Sequence, residues 1–132
     1  MIGVRETFFK GERLCSTKII SALFETGNVF HTPLFKVVWA LTVLPSPFPA
    51  QVAFSVPKRG FKHAVTRNLI KRRLKEAYRK DKKELCEYLK SEKKQLAFVV
   101  IVRGSSIPDY ATAEASVREL LNKLLYNLRQ KN

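Results

Sequence analysis

The sequence predicts an α+β two-layer sandwich in the order α-β-β-α-β-α, with a small mixed sheet and a strand–basic helix–strand crossover. Three observations carry that prediction. Segments 34–44, 51–56 and 96–102 are rich in β-branched and aromatic residues, the composition of strands. Segments 16–27 and 64–79, and the stretch after Pro108 and Asp109, repeat apolar residues at helical spacing. A strand, a helix and a further strand in succession require a crossover and a parallel pair. At 132 residues with 45% apolar content, the chain reads as a single domain with a real core.

In chain order, residues 1–13 read as a flexible basic arm carrying Arg5, Lys10 and Arg13. Segment 16–27 is a short helix with Ser16 as N-cap and Gly27 as C′ residue, and Ile19, Ile20, Leu23 and Phe24 form its apolar stripe. In strand 34–44, alternation puts Phe35, Val37, Trp39, Leu41 and Val43 on one face. The other face holds Lys36, Val38, Ala40 and Thr42. Three prolines among residues 45–49 make a loop, because proline cannot donate to a ladder. Strand 51–56 then returns, which predicts a hairpin with strand 34–44.

Residues 57–63 lead to helix 64–79, which continues, or restarts after a kink, through 81–90. The unbroken apolar run 96–102 is the pattern of a strand covered on both faces. In the last helix, Val117, Leu120, Leu121, Leu124, Leu125 and Leu128 form a core-facing stripe.

Helix 64–79 organises the rest. It has neither Gly nor Pro. At about 100° per residue, Arg67, Asn68, Lys71, Arg72, Lys75 and Arg79 share an arc of roughly 140°. Ile70, Leu74, Ala77 and Tyr78 occupy the adjoining face, and Val65 and Leu69 lie at the arc's far edge. Glu76 alone cannot neutralise so many cations, and like charges packed side by side destabilise a free helix. A polyanion relieves that repulsion.

The net charge is +14, and residues 57–83 hold twelve Lys/Arg against two acids. So localised a positive field favours nucleic acid or an acidic membrane surface. A membrane is the weaker choice, since no apolar run reaches 18 residues and the N-terminus lacks a signal-peptide core. Cys15 and Cys86 match no metal-ligand spacing and are too few for a disulfide framework, so they read as reduced thiols in a cytoplasmic protein.

Catalytic constellations are missing. His31 and His63 lie in different segments, the five glycines are scattered, and no Cys-x-x-Cys or His-x-Glu set occurs. The sparse acids do not suggest a two-metal nuclease acting alone. The expectation is a binding protein with no metal site and no catalytic residue.

The segments Phe54-Ser55-Val56-Pro57-Lys58-Arg59, Ala64-Val65-Thr66-Arg67-Asn68, Lys71-Arg72 and Lys75-Glu76-Ala77-Tyr78 together resemble the signature of the bacterial ribonuclease P protein component. The match is dense over residues 52–79, and the element order agrees over roughly 14–129. The resemblance implies a subunit that pairs with a large catalytic RNA, the complex removing the 5′ leader of precursor tRNA by Mg²⁺-dependent hydrolysis. The Mg²⁺ would be held mainly by the RNA, and the protein would be a monomer within the complex, away from membranes. Carried over by position, Arg67, Asn68, Lys71, Arg72 and Lys75 would face the catalytic RNA, with Lys58, Arg59 and Lys62 on the approach loop.

A cleft between the first helix and the sheet would take the single-stranded leader, at Ile20 and Phe24 on the helix and Val38 or Trp39 on the strand. Two positions depart from the family pattern. Leu69 stands where the third motif residue is usually Arg, so one RNA contact is missing or comes from Arg73. Ile20 stands where many members have Phe, and the strand position has no Tyr. The alternative reading is a general RNA- or DNA-binding module such as a ribosome-associated protein. A helix–turn–helix reader is disfavoured, because a strand and a Pro/Gly loop precede the basic helix.

Overall fold

The structure is a computed structural model that describes residues 10–131. The expected arm therefore lies outside the described residues up to position 9. Its last part is not an arm: Lys10–Glu12 form a 3₁₀ turn, and Leu14 N–H donates to Val52 O at 3.0 Å. Four helices follow, α1 (Thr17–Thr26), α2 (Ala64–Asp81), α3 (Lys83–Ser91) and α4 (Tyr110–Lys131). The strands are β1 (Asn28–His31), β2 (Phe35–Leu41), β3 (Ala50–Ser55) and β4 (Leu96–Val102). They form one mixed sheet in the order β1-β2-β4-β3.

The expected crossover is present. β3 and β4 pair in parallel, Val52 opposite Phe98 and Phe54 opposite Val100, and α2 and α3 connect them. The expected hairpin between β2 and β3 is absent, because β4 lies between them and pairs antiparallel with β2. The continuously apolar β4 takes the central place, where both of its faces are covered. The proline-rich loop must therefore pass over the start of β4, and Gln95 holds it there. The Gln95 Nε2 donates to Ser46 O (2.7 Å) and Phe48 O (2.9 Å), and its Oε1 accepts from Leu44 N–H at 2.9 Å. The hairpin of the fold is β1–β2. Thr32 closes it, its N–H donating to Phe35 O at 2.8 Å and its hydroxyl accepting from Phe35 N–H at 3.1 Å.

The sheet separates two apolar clusters. On one face Phe35, Val37, Trp39, Val52, Phe54, Phe98 and Val100 pack against α2, α3 and α4. The leucine stripe of α4 is buried there from Val117 to Leu128. Tyr78 of α2 presents ring edges to Phe54 and Phe98, each at 6.0 Å between centroids. On the other face α1 lays Leu23, with Ile19 and Ile20, on Val38, Ala97 and Val99. The Ser16 hydroxyl caps α1 by accepting from Ile19 N–H at 3.3 Å. Gly27 ends α1 without a left-handed residue: its φ is −70°. A Cβ there would lie 2.4 Å from Leu23 O and 2.9 Å from Val38 Cγ1, so the glycine permits close approach of helix to strand.

Between α2 and α3 the chain breaks at Lys82. The Lys82 ammonium donates to Glu12 at 2.6 Å, with 7% and 4% of the two side chains exposed. This pair ties the start of the described chain to the α2–α3 junction. Removing one partner of a buried pair leaves an uncompensated charge. Lys82→Ala is expected to cost about 3–5 kcal/mol in denaturant unfolding, with Glu12→Leu/Lys82→Met recovering most of it. Gly60 of the loop before α2 faces a second backbone, since a Cβ there would lie 2.3 Å from Gly104 O. Gly60→Ala is accordingly expected to lower stability by about 1–3 kcal/mol, the range for overpacking, read as a shifted denaturant midpoint at unchanged m.

Candidate nucleic-acid interface

The sequence of α2 fixes which way its cations point. Ile70, Leu74, Ala77 and Tyr78 are buried under the sheet, which turns the opposite side of the helix to solvent. Asn68, Lys71, Arg72, Lys75, Glu76 and Arg79, joined by Arg13, line an open depression of about 480 Å³. Arg13 was expected on a mobile arm; its bridge to Val52 fixes it beside the helix. Partial burial lowers the Lys75 pKa from its ordinary value, and the nearby Arg13 and Lys71 charges lower it further. Among the described residues, Lys71, Arg72 and Lys75 have no acidic partner. Arg79 does, since it forms a two-point pair with Glu76 at 2.6 and 3.0 Å. The Arg79 hydrogen bond in turn holds the Glu76 carboxyl below its usual value.

Two arginines of the helix do structural work as well. Arg67 sits at the edge nearest the core, and its Nη1 donates to Phe61 O (2.9 Å) and Lys62 O (2.8 Å). It braces the approach loop, where Phe61 is buried and Lys58, Arg59 and Lys62 are exposed. Arg73 Nη1 donates to Pro108 O at 2.7 Å. That contact points Arg73 toward the start of α4, roughly 100° around the helix from Arg72. Arg73 also lies one helical turn beyond Leu69, about 40° around the helix.

The four residues assigned to a leader cleft divide between the two faces of the sheet. Ile20 and Val38 belong to the α1 side, where Val38 is 1% exposed. Phe24, one turn beyond Ile20, is 55% exposed. Trp39 lies on the opposite face, 3% exposed in the core under α2 and α4, so it does not line this cleft. Strand alternation forces that separation: Val38 and Trp39 are neighbours and must point to opposite sides. The other flank of α1 has an apolar groove of about 360 Å³ among Ile19, Leu23, Ala40 and Leu41.

Sequence reasoning missed a second basic depression, of about 440 Å³, at the far end of the sheet. His31, Lys36, Arg59 and Arg103 line it together with Ile101, and no acid is among its lining residues. His31 and Lys36 are register partners across β1–β2. Recognising β1 as a strand would have found that pair. Among the described residues no group of three or more His, Cys, Asp or Glu could hold a metal ion. Nor, among them, is any helix long and apolar enough to cross a membrane.

Comparison with known proteins places these features in a family. The family model described as Ribonuclease P matches residues 8–125, which include α1, the approach loop and the whole of α2. The chain is 33% identical over 130 residues to the ribonuclease P protein component of Chlorobium phaeobacteroides, covering 91% of this chain and 86% of that protein. It is 29% identical over 119 residues to that of Porphyromonas gingivalis, covering 90% and 87%. Among solved structures, the RNase P protein from Thermotoga maritima shares the fold at a TM-score of 0.68 and 21% identity, covering 85% of this chain and 96% of that one. The Staphylococcus aureus RNase P protein does so at a TM-score of 0.64 and 19% identity, covering 86% and 94%. This chain belongs to the ribonuclease P protein family.

Proposed function

We propose that this chain is the protein subunit of a ribonuclease P holoenzyme that binds the catalytic RNA through the outer face of α2 and receives the 5′ leader of precursor tRNA beside α1. Family membership supplies the coarser statement, a subunit of an endoribonuclease with an RNA partner. The observation that supports the finer one is the cationic depression of α2, whose Lys71, Arg72 and Lys75 lack acidic partners among the described residues. Phosphates settling there release counterions and offset the repulsion from Arg13 and Lys71 that, after burial, lowers the Lys75 pKa. Asn68 adds a donor and an acceptor for a sugar or base edge. Lys58, Arg59 and Lys62 extend the positive field from a braced loop, so little ordering is needed on binding.

On the α1 side, Phe24 and Ile20 offer apolar surface to unstacked leader bases, with Val38 as the floor beneath them. Trp39 has no part in that contact. The donor set of the α2 face does not suit a protein-held Mg²⁺, because its one carboxylate, Glu76, is engaged by Arg79. The proposed Mg²⁺ therefore belongs with the RNA partner, as does the chemistry. In this reading the chain works in the cytoplasm.

The test is reconstitution with a bacterial ribonuclease P RNA at low Mg²⁺ and near-physiological salt, following loss of the 5′ leader. The chain should restore cleavage and be inert alone. Binding without restored cleavage would leave only a general RNA-binding module. Lys71→Ala/Arg72→Ala should weaken RNA binding and reduce the slope of log K against log salt by about 1.5–2.

A further inference from the structure

The outward face of α2 is not wholly cationic. Taking Ile70, Leu74 and Ala77 as the core side, the opposite direction at about 100° per residue falls on Arg79 and Arg72, with Val65 roughly 30° further round. Val65 is 82% exposed. Leu69, one turn on, is half-buried and belongs to neither apolar cluster. The two side chains are i,i+4 neighbours, and Asn68 and Arg72 border them on the cationic side. The fold gains little from this arrangement beyond one i,i+4 apolar contact. A β-branched residue in an exposed helical turn loses rotamer freedom, and neither side chain reaches the core.

Resting on the reading above, we propose that Val65 and Leu69 form an apolar step that takes the face of an unstacked nucleotide of the RNA partner. Arg72 holds that nucleotide's phosphate, and Asn68 meets its sugar or base edge. Continuity with the cationic depression selects RNA as the occupant, since any partner covering the step also covers Arg72. A second copy of this chain is disfavoured by charge. Residues 57–83 carry twelve Lys/Arg against two acids, so two such faces repel. The step gives the interface a component that salt does not screen, and it discriminates, because a continuous duplex presents no free base face.

The experiment compares the chain with Val65→Ser/Leu69→Ser, titrating each against a bacterial ribonuclease P RNA and against a random-sequence RNA duplex across a salt series. Affinity for the ribonuclease P RNA should fall about tenfold, the scale of one stacked base. The slope of log K against log salt should be unchanged, and so should duplex binding. Val65→Ile/Leu69→Met should retain the affinity. Because Val65 is exposed and Leu69 only half-buried, the thermal midpoint should fall by about 5 °C or less, leaving the chain folded at the temperature of the titrations. Unchanged affinity overturns the proposal, as does an equal loss on the duplex, or a wild-type dimer that the double variant dissociates. The wild-type chain separates the two readings: if it restores cleavage while the double variant binds as tightly, only the apolar step is wrong.

Discussion

Tyr78 holds α2 against both strands that the crossover joins. Its ring meets Phe54 of β3 and Phe98 of β4 edge-on, and the residue is 1% exposed. With Ile70, Leu74 and Ala77 it fixes the rotation of α2 about its own axis. That rotation decides where every cation of the helix points. Burial of one side therefore aims the other, and the cationic depression follows from core packing without any special device. Lys82, paired with Glu12 where α2 ends, secures the same helix from its far end and draws in the segment that carries Arg13.

The outer face is electrostatically unfinished. Partial burial, and after it the neighbouring Arg13 and Lys71 charges, disfavour the charged form of Lys75 and lower its pKa. Among the described residues, the one carboxylate lining the depression, Glu76, is already engaged by Arg79. Such a surface costs folding free energy in water and is relieved by a polyanion. Its supports are firm: Arg67 clamps the approach loop at two carbonyls, and Gly60 lets that loop lie against the backbone of Gly104. The cations are offered on a scaffold that needs little rearrangement to bind.

Most of this architecture was legible in the sequence where periodicity and composition spoke together. The apolar run 96–102 announced a strand buried on both faces, and the leucine stripe of α4 announced a core helix. The charge arc of α2 was readable because helix geometry converts spacing directly into faces. Long-range choices were not readable. The spacing of β2 and β3 suggested a hairpin, whereas the insertion of β4 depends on Gln95 fastening a proline-rich loop some 50 residues earlier in the chain. Strand β1 is only four residues long and lacks a strong β signature, so the His31–Lys36 pairing was invisible. Alternation did separate Val38 from Trp39, but only three dimensions show which of them lies under α1. The dual duty of Arg67 and the diversion of Arg73 to Pro108 likewise depend on contacts that spacing does not encode.

The central claim is that the outer face of α2 lies on the catalytic RNA, and tethered hydroxyl-radical cleavage tests it most directly. An iron chelate would be attached to Arg72→Cys in one variant and to Tyr126→Cys in another, both in a Cys15→Ser background. Tyr126 is 62% exposed on α4. Cys86 is half-buried, and burial pushes its thiol up to about 11, which slows its labelling; the Cys15→Ser chain without a new cysteine reports any cuts that it causes. The account predicts discrete cuts in the ribonuclease P RNA from position 72 and few or none from position 126. Equal cutting from both positions, or cutting from 126 alone, would contradict it.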